Sequence, residues 1–325
     1  MTHGIRFSRH GGSEVLEYVE VPTQTPGANE VLVRNQAIGM NFIDIYGREG
    51  LYPVSSFPSG LGTEAAGIIE AVGEDVQAFS PGDRVAYAQG PLGAYSQLHC
   101  LPAEFLIPLP ESISFDVAAA SLLKGMTVQY LLRQVHEVKA GDTILFHAAA
   151  GGVGTLACQW ANALGARLIG TVSTDEKAEL ARSLGADAII NYTTEDVVER
   201  VKALTDNELC DVVYDSVGKD TWPVSLDCVK RRGLIVSFGN ASGPVEGVNL
   251  GILNQKGSLF VTRPSLGGYA DTPSRRKAMA AELFDMIERG AIDVQINQRF
   301  ALSEAGKAQD ALMQRRTTGA TLLIP

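Results

Sequence analysis

The chain has 325 residues, 45% of them hydrophobic, and a formal net charge of −10. That length exceeds what one core comfortably holds and points to two domains, while the acidic balance argues against nucleic acid as a main partner. No apolar run approaches the roughly 20 residues needed to cross a bilayer. Met1 to Gly12 carries charges where an export signal needs an apolar stretch, so a cytoplasmic location is expected.

Arg275-Arg276-Lys277 and Arg315-Arg316 are short basic runs that read as solvated helix faces. Cys100, Cys158, Cys210 and Cys228 are far apart, with neither disulfide nor C-x-x-C spacing, and read as buried or incidental thiols. There are no internal repeats and no low-complexity linkers.

Residues 1 to about 125 contain short strands punctuated by Gly and Pro. VLVRNQAIGM alternates, GTEAAGIIEAVGEDV reads as a strand bent at Gly73, and PGDRVAYA and GAYSQLHCLP read as further strands. This texture predicts a compact β-rich domain. Ser114 to Arg133 is predicted as a mostly helical bridge, with Lys124 and Thr127 at its start.

Thr143 to Gly165, TILFHAAAGGVGTLACQWANALG, is the organising stretch. A buried strand runs into a loop of residues with almost no side chain, then into a helix whose apolar residues recur from Val153 to Leu164. Small residues let backbone N–H groups approach a pyrophosphate, and the positive end of the helix dipole stabilises its charge. Gly151, Gly152, Val153 and Gly154 sit where that contact is made, although alanine occupies the first place of the G-x-G-x-x-G spacing.

Further strands follow in ARLIGTVS, ADAIINY, DVVYDSVG, GLIVSFGN and SLFVT, separated by helices over Asp175–Leu184, Thr194–Leu204 and Asp220–Lys230. Six strands in this alternation predict an α/β fold with a doubly wound, six-stranded parallel Rossmann sheet.

The second strand ends Thr171-Val172-Ser173-Thr174, with no acid to accept from a ribose 2′-OH. Ser173 and Thr174, with Lys177 and Tyr192, are suited instead to a 2′-phosphate, so NADPH is expected over NADH. Asp175 and Glu176 could reach the ribose, but acids in a first helical turn also serve simply to oppose the dipole. The tail from Arg275 reads as a helix to Arg289, a strand segment near Val294–Phe300, a helix near Ser303–Gln314 and the strand TLLIP, and is expected to return to the first domain.

The segments GTEAAGIIEAVGEDV, PGDRVAY, AASLLKGMTVQYLL, HAAAGGVG, VYDSVG and NQKGSLFVTRPSL, in this order, resemble the medium-chain dehydrogenase/reductase superfamily, and within it the zeta-crystallin-type NADPH:quinone oxidoreductases. The resemblance covers essentially the whole chain. It implies a GroES-like catalytic domain over residues 1–125 and 267–325 and a Rossmann NADPH-binding domain over 126–266. It further implies cofactor contacts from Asn41, Thr127, Tyr130, Ser216, Phe238, Gly239, Asn240, Arg263 and Ser265. Asn41, Tyr46, Tyr52 and Lys124 are the candidates for the acceptor side, although each tyrosine also reads as a packed residue and Lys124 as a solvated one.

Zinc alcohol dehydrogenases of that superfamily carry ligands in segments similar to IGMNFID, LGTE and SLLKG. Here those places hold Asn41, Thr63 and Leu123, with only Glu64 beside them, and no zinc is expected. Without a metal to stabilise an alkoxide, an acceptor that delocalises incoming charge is favoured, namely a quinone or an electron-poor alkene such as an enone or alkenal. His3, His10, His99, His136 and His147 show no ligand spacing, and no Ser/His or Cys/His arrangement suits a nucleophile. A cofactor-binding structural or sensing protein with little turnover is the alternative.

The segment 257–263 is expected to form the sheet's edge strand, with Leu259 and Val261 on one face and Ser258, Phe260 and Thr262 on the other. Charge lies only at its ends, in Lys256 and Arg263, and Pro264 follows. An open edge of this kind predicts a homodimer paired antiparallel through it.

Overall fold

The computed structural model describes residues 1–325. In chain order it contains β1 (Thr2–Arg6), β2 (Glu17–Val21), β3 (Glu30–Gly39), α1 (Phe42–Glu49), β4 (Ala65–Val72), β5 (Arg84–Tyr87), β6 (Leu98–Pro102), β7 (Ile107–Pro108) and α2 (Phe115–Tyr130). There follow β8 (Thr143–Phe146), α3 (Gly152–Ala163), β9 (Arg167–Val172), α4 (Asp175–Ser183), β10 (Ala188–Asn191), α5 (Val197–Leu204), β11 (Cys210–Asp215) and α6 (Trp222–Cys228). The last third holds β12 (Val229–Ser237), α7 (Gly251–Gln255), β13 (Phe260–Thr262), α8 (Leu266–Tyr269), α9 (Pro273–Glu288), β14 (Ile296–Ala301), α10 (Ala305–Met313) and β15 (Ala320–Ile324).

Two compact units emerge: Met1–Met126 with Ala270–Glu288 and Val294–Pro325, and Thr127–Tyr269 with Arg289–Asp293. The tail's return is visible in the first unit, whose sheet runs β14-β15-β3-β4-β5-β7, with β6 also paired to β3. Val31, Val33, Ile38, Ile69, Val85 and Leu101 alternate inward from these strands onto a core shared with Leu302, Ala305 and Leu323 of the tail.

The second unit holds one parallel sheet in the order β10-β9-β8-β11-β12-β13. This is the doubly wound order, reversing direction between β8 and β11, and it places the ligand crevice outside the carboxyl ends of those two strands. Helix α3 packs with α4 and α5 with α6. Right-handed crossovers put the two pairs on opposite faces of the sheet, which is why its strands read as unbroken apolar runs rather than alternating ones.

Several sequence expectations need correction at the level of elements. Strand β4 ends at Val72 instead of bending through Gly73. A Cβ on Gly73 would lie 1.9 Å from the Gly27 carbonyl, so the glycine marks a close chain crossing. Helix α5 begins at Val197, because Asp196 caps it through the Glu199 amide (3.0 Å), and α6 covers only Trp222–Cys228. The sixth strand is just Phe260–Thr262: Ser258 has φ 57°, a left-handed turn residue, and Leu259 packs inward. Strands β1 and β2 and helix α1 have no counterpart among the sequence-predicted elements; α1 follows Asn41 and carries Tyr46.

Candidate functional site

In the first unit two of the sequence-predicted residues, Asn41 and Lys124, meet on Glu64. Strand β3 ends at Gly39, whose added Cβ would lie 2.1 Å from the Ala119 carbonyl and 2.2 Å from Glu64 Oε2. Only glycine lets the end of β3, the start of β4 and helix α2 meet this closely.

Glu64 is fully buried and accepts from three donors: Asn41 Nδ2 (2.7 Å), the Leu123 backbone N–H (2.6 Å) and Lys124 Nζ (3.1 Å). Asn41 and Leu123, which stand in the places of zinc ligands in the resembling dehydrogenases, are thus engaged as hydrogen-bond donors to a carboxylate. No group of three or more His, Cys, Asp and Glu side chains is assembled as a metal-holding cluster. Lys124 is only 4% exposed, so the reading of a solvated lysine is wrong. Lys124 and Thr127 also lie in the second half of α2, not at its start; the helix begins at Phe115 because Ser114 caps it through the Val117 amide.

Asn41 also caps α1. Asp44, at the third helical position, reaches back to the Asn41 N–H (2.9 Å), the return half of a capping box. Tyr95 donates its hydroxyl to the same carboxylate oxygen (2.9 Å). Burial pushes the Asp44 carboxyl up to about 7 against these donors, with Glu64 adding to the rise and Lys124 opposing it. Tyr46 follows on the same helix and meets Tyr52 edge-to-face, ring centroids 5.4 Å apart; Tyr46 is buried and Tyr52 exposed.

In the second unit the cofactor candidates converge on the carboxyl ends of all six strands. After β8, Ala148 (φ 58°) turns the chain, and Gly151 and Gly152 start α3. A Cβ on Gly154 would lie 2.4 Å from the Ala148 carbonyl, which fixes that position as glycine for close packing of helix against loop. The first-turn N–H groups of α3, including that of Val153, face the switch point with the positive end of the helix.

After β9, Lys177 Nζ donates to Ser173 Oγ (3.4 Å), and Thr174 caps α4 by accepting from the Lys177 N–H (3.3 Å). Tyr192 follows β10 and is held to Val172 by a backbone bond of 3.1 Å. The four residues predicted to take a 2′-phosphate therefore cluster at adjoining strand ends. Asp175 is directed to Asn191 Nδ2 (2.9 Å), which accounts for one of the two acids that could have reached a ribose.

Ser216 follows β11. Phe238, Gly239 and Asn240 follow β12, and Arg263 and Ser265 follow β13. Arg263 Nη1 donates to the Ser237 carbonyl (3.0 Å), and with the Asn240 amide oxygen turned toward it Nη2 donates there at 3.0 Å. Tyr130, from the end of α2, stacks on Tyr269 at 4.8 Å. Thr127 lies one turn earlier on the same helix.

Sequence reasoning missed a buried polar chain beneath these loops. His147 shows no ligand spacing in the sequence, yet it bridges Thr171 Oγ1 (3.0 Å) and Ser225 Oγ (3.1 Å), and Ser225 donates to Asp215 (2.7 Å). The Asp-Ser-Val-Gly run that begins on the last residue of β11 is a local signal for a turn held by its aspartate, whereas Ser225 on α6 carries none.

The chain matches known proteins along its whole length. Residues 27–111 match the model of the alcohol dehydrogenase GroES-like domain, and residues 152–283 that of the zinc-binding dehydrogenases. The chain is 64% identical to a quinone oxidoreductase of Pseudomonas aeruginosa, covering 100% of both chains. It is 44% identical to a 2-haloacrylate reductase of a Burkholderia species, covering 98% of this chain and 97% of the relative. The solved structure of Escherichia coli quinone oxidoreductase complexed with NADPH superposes with a TM-score of 0.98 at 57% identity, covering 99% of this chain and 100% of that one. With full-length identity at this level, and with both a doubly wound sheet and a GroES-like unit in the chain, it belongs to the zeta-crystallin-type quinone oxidoreductases of the medium-chain dehydrogenase/reductase superfamily.

Proposed function

We propose that this chain is an NADPH-dependent reductase of quinones. The observation that carries the reading is the full-length identity to a quinone oxidoreductase on a chain whose strand ends gather Ser173, Thr174, Lys177 and Tyr192, with no acid among Thr171–Thr174 at the end of β9 and Asp175 engaged by Asn191. NADPH supplies a hydride when bound, and an external proton completes the two-electron reduction of a quinone to its hydroquinone.

The chain's own residues bind and orient. Gly151, Gly152, Val153 and Gly154 present backbone amides to the pyrophosphate, and Ser173, Thr174, Lys177 and Tyr192 take the 2′-phosphate. Thr127, Tyr130, Ser216, Phe238, Gly239, Asn240, Arg263 and Ser265 hold the remainder of the cofactor. On the acceptor side, Asn41 donates to the nicotinamide carboxamide or to a quinone oxygen while its own geometry is held by Glu64. Tyr46 and Tyr52 offer ring faces and hydroxyls, and Lys124 takes a role near the cofactor. An acceptor that delocalises charge requires little beyond this orientation and a dry slot.

A second acceptor class has its own support, since the 44% identical relative is named for 2-haloacrylate, an electron-poor alkene. NADPH absorbance followed with a panel of quinones and enones tests both: loss with quinones is expected, loss with alkenes alone reassigns the acceptor, and no loss with either overturns the reductase reading.

The protein is further proposed to act in the cytoplasm as a homodimer. In support, no helix is long and apolar enough to cross a membrane. Strand β13 pairs only with β12, and Phe260 on it is 63% exposed.

A further inference from the structure

Asp215, Ser225, His147 and Thr171 are all buried, and they come from four different elements or element ends: β11, α6, the residue after β8, and β9. The hydrogen-bond directions along this chain follow from its one member that only accepts, the Asp215 carboxylate. Asp215 Oδ1 accepts from the Val217 N–H (2.9 Å), the Gly218 N–H (3.0 Å) and the Thr221 hydroxyl (2.7 Å), and Oδ2 accepts from Ser225 Oγ (2.7 Å).

A carboxylate only accepts, so the Ser225 proton is committed to Asp215. The Ser225 oxygen is then left to accept from His147 Nε2–H at 3.1 Å. In a neutral imidazole the other nitrogen is an acceptor, so Nδ1 takes the Thr171 hydroxyl proton at 3.0 Å. Burial holds the His147 imidazolium down, against Asp215, the charged group that pulls it up.

The chain ends where three cofactor loops begin. Asp215 fixes the amides of the turn that follows Ser216, and its backbone carbonyl accepts from the Phe238 N–H (2.8 Å) at the end of β12. The Thr171 carbonyl accepts from the Ala149 N–H (3.1 Å) in the pyrophosphate loop, and His147 itself immediately precedes that loop.

We infer that His147 is a positioning residue of the cofactor site: neutral, with its proton on Nε2, it locks the loops after β8, β11 and β12 into the single arrangement that receives the coenzyme. Networks in which every member is satisfied rigidify their surroundings, and losing one donor leaves buried partners unpaired.

The test has two arms on the full-length protein, the second resting on the reading that NADPH is the cofactor. In the first, long-range proton–nitrogen NMR of histidine-labelled parent protein is expected to show His147 protonated on Nε2 only, unchanged between about pH 6 and about pH 8. An Nδ1–H tautomer or an imidazolium in that range overturns the inference.

In the second arm, NADPH affinity is measured by fluorescence for the parent, for His147→Gln, which keeps an N–H donor, and for His147→Met, which has similar bulk and none. The Gln variant is expected within about threefold of the parent and the Met variant at least about tenfold weaker. Ser225→Ala, expected to weaken binding similarly, takes the place of the Met variant should that one not fold. Parent-like binding by the donor-less variant, or equal weakening by Gln and Met, removes His147 from this role. A parent that does not bind NADPH at all overturns instead the cofactor reading.

Discussion

Lys124 and Glu64 form an ion pair of 3.1 Å in which neither side chain is more than 5% exposed, and Glu64 takes two further donors from Asn41 and the Leu123 amide. A buried pair of this kind is weak evidence for net stability, since desolvation offsets most of the Coulomb gain. Breaking it is another matter. Lys124→Met strands a buried carboxylate, and a loss of about 3–5 kcal/mol is expected in chemical denaturation. Adding Glu64→Gln to that variant should restore most of the loss, because the uncompensated charge is then gone. If the double variant is no better than the single one, the penalty lies in packing and not in charge.

Asp44 sets a pH dependence. Its carboxyl is raised to about 7 by burial, so in the range from about pH 4 to about pH 7 the folded chain holds a proton that the unfolded chain has released. The stability from this group is fully present below about pH 4 and is lost as pH rises through about 7, with a slope approaching roughly 1.4 kcal/mol per pH unit. Asp44→Asn cannot ionise, and its stability relative to the parent should climb across that window. A flat difference in urea midpoints between the two proteins would show that Asp44 is ionised in the fold.

Lys177 sits against Ser173 at the end of β9. Removing one charged partner of a phosphate costs about 1–3 kcal/mol. Lys177→Ala should weaken NADPH binding by that amount and leave NADH nearly unchanged, as read by fluorescence titration of each. Equal weakening of both nucleotides would place Lys177 away from the 2′-phosphate.

Metal independence follows from residue type. Asn41, Thr63 and Leu123 offer neither thiolate nor imidazole. Turnover should survive exhaustive dialysis against a strong chelator, and stoichiometric zinc whose removal abolishes turnover would contradict the assignment.

Phe260→Pro removes a backbone donor from the sheet's last strand, where Phe260 is largely exposed. Light scattering should find the parent as a dimer and this variant as a folded monomer. A parent of monomer mass, or a fully dimeric variant, would rule out pairing through β13.

The parallel sheet, its six strands and the small-residue loop after β8 are legible in the amino-acid order alone. These are local properties: buried strands read as apolar runs, helices as 3.6-residue periods, and Ala148 to Gly154 as a stretch whose side chains leave room for close approach. The missing zinc ligands and the acid-free end of β9 were legible for the same reason, since each depends on the residue type at one place along the chain. The partners of Glu64, Lys124, His147 and Ser225 come from folding and not from local pattern. Glu64 meets a donor from β3's end and two from α2, and His147 meets partners 24 and 78 residues away, so their environments are created by strand order and helix packing. A lysine that looks solvated in sequence becomes a buried cation once a carboxylate folded from 60 residues away is placed beside it, because charge is retained in an apolar interior only where a partner is supplied.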